Sequence, residues 1–193
     1  MKHIPFLLLI GLLLTGCGGG RPKVSRSLEL TDRGWVVKTD TISEGGHNKT
    51  KPISKKEAGK EVVEKNNLIL DKVIAHAMDF QGARYKFGGT TRSGVDCSGL
   101  VYASFKKESI LLPRVSRDMA QKGTTVRLKD IAPGDLVFFD TGNRNRINHV
   151  GLVIEVEKDK IWFIHATSSN GVIISGLDEP YWRKALVVVR RVI

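Results

Sequence analysis

Cys97 is one of only two cysteines in 193 residues, and its surroundings are those of a nucleophile. Asp96 and Ser98 flank it, and Leu100-Val-Tyr-Ala-Ser-Phe105 follows with helical spacing. Asp96 reads as an N-cap, which puts Cys97 in the first turn of a helix. Unpaired backbone N–H groups and the positive end of the helix dipole gather there. A thiol so placed is expected to have a lowered pKa and more of the reactive thiolate. Gly82, Gly88, Gly89, Gly94 and Gly99 let the chain turn tightly around it and let another group approach. The competing reading of any lone cysteine is a small buried hydrophobe.

A nucleophilic cysteine needs a base within hydrogen-bond reach, and the base needs an orienter. Four histidines follow the N-terminal apolar run. His47 lies in a polar stretch, and His76 lies inside a helical pattern, where packing or exposure is the usual role. His149 opens one predicted strand and His165 nears the end of the next. A tight turn at Glu157-Lys-Asp-Lys160 makes these strands antiparallel neighbours. Nine residues separate His149 from the turn at Lys158, and seven more reach His165, so the two rings meet at one end of the sheet. His149 is then the base that takes the Cys97 proton and returns it to a leaving amine. His165 holds the other ring nitrogen of His149. The Cys97 backbone N–H and the Tyr85 hydroxyl are candidate donors to a tetrahedral oxyanion. The same three side chains could be read as zinc ligands, but a fourth ligand and Cys-x-x-Cys spacing are both missing. No metal and no cofactor are expected.

The elements that must position these residues come in two blocks. A helical pattern runs from about Lys60 to Phe80 and stops at Gly82. The Cys97 helix ends near Lys107, and Ser116 reads as the N-cap of a short helix through Gln121. Strands follow at Asp135–Phe139, Asn148–Val156, Ile161–Ala166, Val172–Ser175 and Leu186–Val192, with a helical turn at Glu179–Arg183. Helices first and tightly connected strands after them predict an α+β domain over 65–193, with an antiparallel sheet of about five or six strands.

The first 64 residues read differently. Ile4 to Leu14 is apolar but too short to span a bilayer, and Lys2 precedes it, as in a signal peptide over 1–16. Leu14-Thr-Gly-Cys17 is similar to the bacterial lipobox, so Cys17 is expected to carry lipid and to become the N-terminus. Cys97 would then be the only free thiol, with no disulfide partner. Residues 17–64 read as a polar, basic tether, with a possible short hairpin of Leu28–Leu30 and Trp35–Val37. The net charge of +11 points to an anionic partner. Export turns that from nucleic acid towards wall polymer or lipid headgroups.

The stretch Tyr85…Gly88-Gly89…Asp96-Cys-Ser-Gly-Leu-Val101 resembles the signature of the NlpC family of bacterial cell-wall cysteine peptidases. So do Pro113-Arg114, Ser116 and Gln121, Pro133-Gly-Asp-Leu-Val-Phe-Phe139, Asn148-His-Val-Gly-Leu-Val153 and Ile164-His-Ala166. The resemblance implies a papain-like α+β fold with the cysteine helix packed on the sheet. It implies hydrolysis of peptidoglycan stem peptides, most often between D-glutamate and a diamino acid. It carries Cys97 over as nucleophile, His149 as base, His165 as polar third residue and Tyr85 as oxyanion donor. It places Asp96 and Ser98 in the substrate groove. Arg92-Ser93 departs from the family, where many members have a proline. Together these features predict a monomeric, lipid-anchored peptidoglycan endopeptidase of the cell envelope. Gly18 after Cys17 points to the outer membrane, facing the periplasm. The alternative is a non-catalytic wall-binding lipoprotein that keeps the groove without turnover.

Overall fold

A computed structural model of the chain describes residues 26–31, 34–39, 55–142, 145–158 and 160–193. The expected signal peptide, Cys17 and His47 lie outside the described residues.

Two strands come first, β1 (Arg26–Thr31) and β2 (Gly34–Thr39), paired antiparallel from Arg26 opposite Thr39 to Thr31 opposite Gly34. This is the hairpin expected of Leu28–Leu30 and Trp35–Val37. The first helix, α1 (Lys55–Met78), begins five residues before Lys60 and runs through the boundary placed at residues 64 and 65. Lys, Glu and Ala are good helix formers, so propensity extends the helix upstream of its apolar face. After α1 the chain turns through Gly82, whose φ of 76° only glycine adopts freely.

The strands β3 (Thr90–Thr91) and β4 (Gly94–Val95) make a minimal hairpin that leads into α2 (Cys97–Lys107). The next helix, α3 (Ser116–Met119), is shorter than expected, and Val115 occupies its N-cap position instead of Ser116, which is buried in the first turn. Strand β5 (Thr124–Thr125) and a 3-10 turn (Leu128–Asp130) then precede the sheet strands. These are β6 (Leu136–Phe139), β7 (His149–Glu157), β8 (Lys160–Thr167) and β9 (Gly171–Gly176). Helix α4 (Pro180–Ala185) crosses back, and β10 (Leu186–Arg191) ends the fold.

The main sheet has six antiparallel strands in the order β5-β10-β6-β7-β8-β9. Strand β5 completes the six; two exposed threonines are too short to show a period. Leu136, Phe138, Val150, Leu152 and Ile164 of the sheet pack with Val73, Ile74 and Ala77 of α1 and Leu100, Val101 and Phe105 of α2. Val137, Phe139, Val153 and Phe163 pack with Trp182 of α4, Ile131 and Leu177 in a second cluster. All four residues of β6 are fully buried, which is why that strand reads as one apolar run instead of an alternation. The core therefore clamps β6 and β7 from both faces, and β7 carries a candidate catalytic side chain at its first residue.

Candidate active site

The position of Cys97 is fixed by the turn before it. Asp96 caps α2 as expected, its Oδ1 accepting the Gly99 N–H at 2.7 Å. Gly99 lies against the Gly89 backbone, and a Cβ at Gly99 would collide with the Gly89 carbonyl oxygen. The glycines thus let the Tyr85–Gly89 segment press onto the first turn of α2. A parallel bridge between Tyr85 and Val95 ties that segment down, with Lys86 N–H on Val95 O and Val95 N–H on Arg84 O, both at 3.1 Å. Tyr85, Asp96, Cys97 and Ser98 thereby line one cleft of about 450 Å³. Cys97 keeps 9% of its surface and is one of the residues lining that cleft.

That burial corrects the expectation of an acidic thiol. Desolvation pushes the Cys97 thiol above its ordinary range, and the nearby Asp96 charge adds to the rise. The Val150 N–H and the first amides of α2, at Ser98 and Cys97, pull it down by hydrogen bonding, and they do not win. The helix terminus acts in the expected direction, but a sulfur with this little water around it is more stable protonated.

The Val150 amide also brings β7 to the cysteine. It points at the sulfur, so Cys97 sits beside the backbone that joins His149 to Val150. The two imidazoles meet as expected: His149 Nε2 and His165 Nδ1 are 3.0 Å apart. The β7–β8 register pairs Leu152 with Ile164; one step on, His165 comes opposite Gly151. Gly151 has no side chain, and the Phe163 ring takes that space; a Cβ there would collide with it. His165 is fully buried, and its Nε2 lies 3.0 Å from Ser175 Oγ on β9. Trp182 stacks on His149 with centroids 5.4 Å apart and meets His165 edge-on at 4.6 Å.

One proton arrangement serves a base. His149 Nε2–H donates to His165 Nδ1, and His165 Nε2–H donates to Ser175 Oγ. His149 Nδ1 is then the free acceptor, and the same arrangement persists when that atom takes a proton. Burial lowers the pKa of His149 to about 4 and that of His165 to about 3, with the neighbouring His149 adding to the second shift. Both rings are therefore neutral near pH 7, and a neutral imidazole can accept a proton.

On the other side of the cysteine, Asp96 is gripped by Arg114. Arg114 Nη1 donates to Asp96 Oδ1 and Nη2 to Oδ2, each at 2.8 Å. The same guanidinium donates to Ser98 Oγ at 2.8 Å and to Gly89 O at 3.0 Å. The Gly88 N–H adds a bond of 2.6 Å to Asp96 Oδ2. Burial alone would raise the Asp96 carboxyl; Arg114 and the Gly99 and Gly88 amides outweigh it and hold it below its ordinary range. Tyr85 is pushed the other way, by burial first and then by charge at Cys97 and Asp96, so its hydroxyl stays a donor.

Residues 82–191 match the NlpC/P60 family. The chain belongs to that family. The murein DD-endopeptidase MepS/murein LD-carboxypeptidase of Escherichia coli K12 is 37% identical over 126 residues, which are 65% of this chain and 64% of MepS. A probable endopeptidase of Haemophilus influenzae is 41% identical over 115 residues, 59% of this chain and 69% of its own. Among solved structures, an NLP/P60 protein similar to lipoproteins from Staphylococcus aureus superposes with a TM-score of 0.57 at 31% identity. That match covers 66% of this chain and 42% of the Staphylococcus chain. The chain thus spans just under two thirds of MepS and less than half of the Staphylococcus protein. The fold is the papain-like α+β fold of these NlpC/P60 neighbours.

The NlpC/P60 domain brings Cys97, Tyr85, Asp96 and Ser98 into one cleft and joins His149 to His165 next to the Val150 amide that meets the sulfur. His76 belongs elsewhere: its Nε2 is 3.0 Å from Glu108 Oε1, a link between α1 and α2. Three residues have no counterpart in the sequence reading of the site. Arg114 was visible only as part of a motif; Ser175 and Trp182 looked like ordinary strand and turn residues. Among the described residues no three His, Cys, Asp or Glu side chains gather as a metal site, and no helix is long and apolar enough to cross a membrane.

Proposed function

We propose that this chain is a cysteine endopeptidase that hydrolyses peptidoglycan stem peptides through Cys97, His149 and His165. The observation that carries the reading is the 3.0 Å contact between His149 Nε2 and His165 Nδ1, which leaves one imidazole nitrogen for the sulfur lying beside Val150. Cys97 and His149 start neutral. As Sγ attacks the scissile carbonyl carbon, its proton passes to His149 Nδ1. Negative charge collects on the carbonyl oxygen, within reach of donors at the Cys97 amide and the Tyr85 hydroxyl. The C–N bond breaks, and His149 Nδ1–H protonates the leaving amine. A water, deprotonated by His149, then hydrolyses the thioester and returns the thiol. Asp96, held by Arg114, shapes the groove together with Ser98.

The first bond to test is that between D-glutamate and the diamino acid. The D,D bond is the second, because the MepS name carries that activity. Upstream, residues 1–16 act as a signal peptide and Cys17 as the lipid-bearing N-terminus. Residues 17–64, a stretch that includes the β1–β2 hairpin and the start of α1, give a monomeric enzyme reach from the outer membrane to the wall. Mass spectrometry of defined muropeptides after incubation with wild type and Cys97→Ala tests this. The expected result is cleavage of one stem bond by wild type and none by Cys97→Ala with an unchanged circular dichroism spectrum. Binding of muropeptides without cleavage by either protein would favour the non-catalytic alternative.

A further inference from the structure

The cleft does not end at Cys97. Arg117, Arg146 and Ile147 belong to its wall and also to an adjoining hollow of about 460 Å³. Two arginines therefore stand where the two spaces meet, one on α3 and one in the loop leading to His149. Neither is engaged as Arg114 is. The near carboxylate for Arg117 is Asp118 at 3.9 Å, with both side chains about 60% exposed, a weak pair. Among the described residues no carboxylate is paired with the Arg146 guanidinium. The adjoining hollow has one acid, Asp140, whose oxygens already accept the Gly142 and Arg146 backbone N–H groups at 3.1 and 3.2 Å. On the rim of the main cleft Phe87 is 89% exposed. The result is a cleft lined by Arg117, Arg146, Ile147 and Phe87 as well as by Cys97.

We propose that Arg117 and Arg146 form a carboxylate subsite that selects peptides with a free carboxylate beside the scissile bond. This rests on the endopeptidase reading and adds the charge state of its substrate. A guanidinium presents a planar fork of N–H donors matched to a carboxylate, and it has no comparable pairing with a neutral amide. Ile147 and Phe87 would contact the aliphatic part of the same residue. Stem peptides whose side carboxylates are amidated should therefore be poor substrates, and peptides with free carboxylates good ones.

The test compares two synthetic stem peptides that differ only in whether the carboxylates outside the scissile amide are free or amidated. The full chain is used as wild type, Arg117→Gln, Arg146→Gln and the double variant, with thermal melting as a check on folding. Wild type is expected to prefer the free-carboxylate peptide by about tenfold in kcat/KM, mainly through KM. Each single variant should shrink that ratio, and the double variant should bring it close to one. Equal turnover of both peptides by wild type would overturn the subsite and leave the endopeptidase standing. So would an unchanged ratio in the double variant, which is what a purely structural role predicts. If wild type cleaves neither peptide, the endopeptidase reading falls and the subsite falls with it.

Discussion

Cys97 sits between two polar networks built on opposite principles. On one side Asp96, Ser98 and Arg114 form a charged clamp in which both carboxylate oxygens and much of the guanidinium are satisfied. On the other, His149, His165 and Ser175 form a line of neutral groups, buried against Trp182 and joined by two contacts of 3.0 Å. The clamp resists protonation changes because burial there is outweighed by Arg114 and two amides. The line is held neutral by burial, so under the proposed mechanism its outer imidazole can accept a proton and give it back. The turn before Cys97 is thus fixed by a charged clamp, and the two imidazoles by burial and neutral hydrogen bonds.

The two networks should break differently. His149→Ala should lower kcat by about a thousandfold, the scale of a lost general base, with an unchanged circular dichroism spectrum. A loss matched by unfolding would erase the distinction between line and clamp. Arg114→Ala should do the reverse first: it leaves Asp96 buried without its cation and should cost about 3 kcal/mol of stability in denaturant titration. Arg114→Lys should recover only part of this, because lysine cannot make the two-pronged contact. Ser175→Ala removes the acceptor for His165 Nε2–H and should cost about 1 kcal/mol, seen as a several-fold drop in kcat with KM held. Equal kcat in Ser175→Ala and wild type would remove Ser175 from the line.

The pH dependence of stability separates the two networks as well. His149 and His165 are held near 4 and 3 in the fold, against 6.5 when unfolded. As pH falls below 6.5 the unfolded chain takes up protons that the folded chain refuses, so stability falls until the pH passes about 3. Above 6.5 neither form carries these protons, and the two rings add no slope. The clamp works in a lower window: the Asp96 pKa is depressed, so its stabilisation is present above 3.8 and is lost as pH drops further. Urea midpoints in His165→Gln should lose part of the slope between pH 6.5 and 4 and keep the acid loss below it. A wild-type midpoint flat from pH 6.5 to 4 would contradict the buried neutral rings.

Much of this was legible in the sequence because the signals were local or periodic. Asp96 announced its helix by capping chemistry, and five strands of the main sheet followed from apolar runs set between turns. His149 and His165 could be paired because a tight turn fixes which strand ends meet. What escaped was long-range or energetic. Arg114 reaches Asp96 across 18 residues with no period linking them. Ser175 and Trp182 join the histidines only once β9 and α4 have folded against β8. The pKa of Cys97 depends on how much water remains around the sulfur, and helix-terminus reasoning does not contain that quantity. The upstream start of α1 came from propensity, a weaker signal than apolar spacing.

The most direct measurement is intact-protein and peptide mass spectrometry on wild-type enzyme, acid-quenched during turnover of a stem peptide. A transient adduct is expected on the peptide containing Cys97, equal in mass to the acid product of cleavage less one water, that disappears as product accumulates. Turnover with no adduct at Cys97, together with undiminished cleavage by Cys97→Ala, would contradict it.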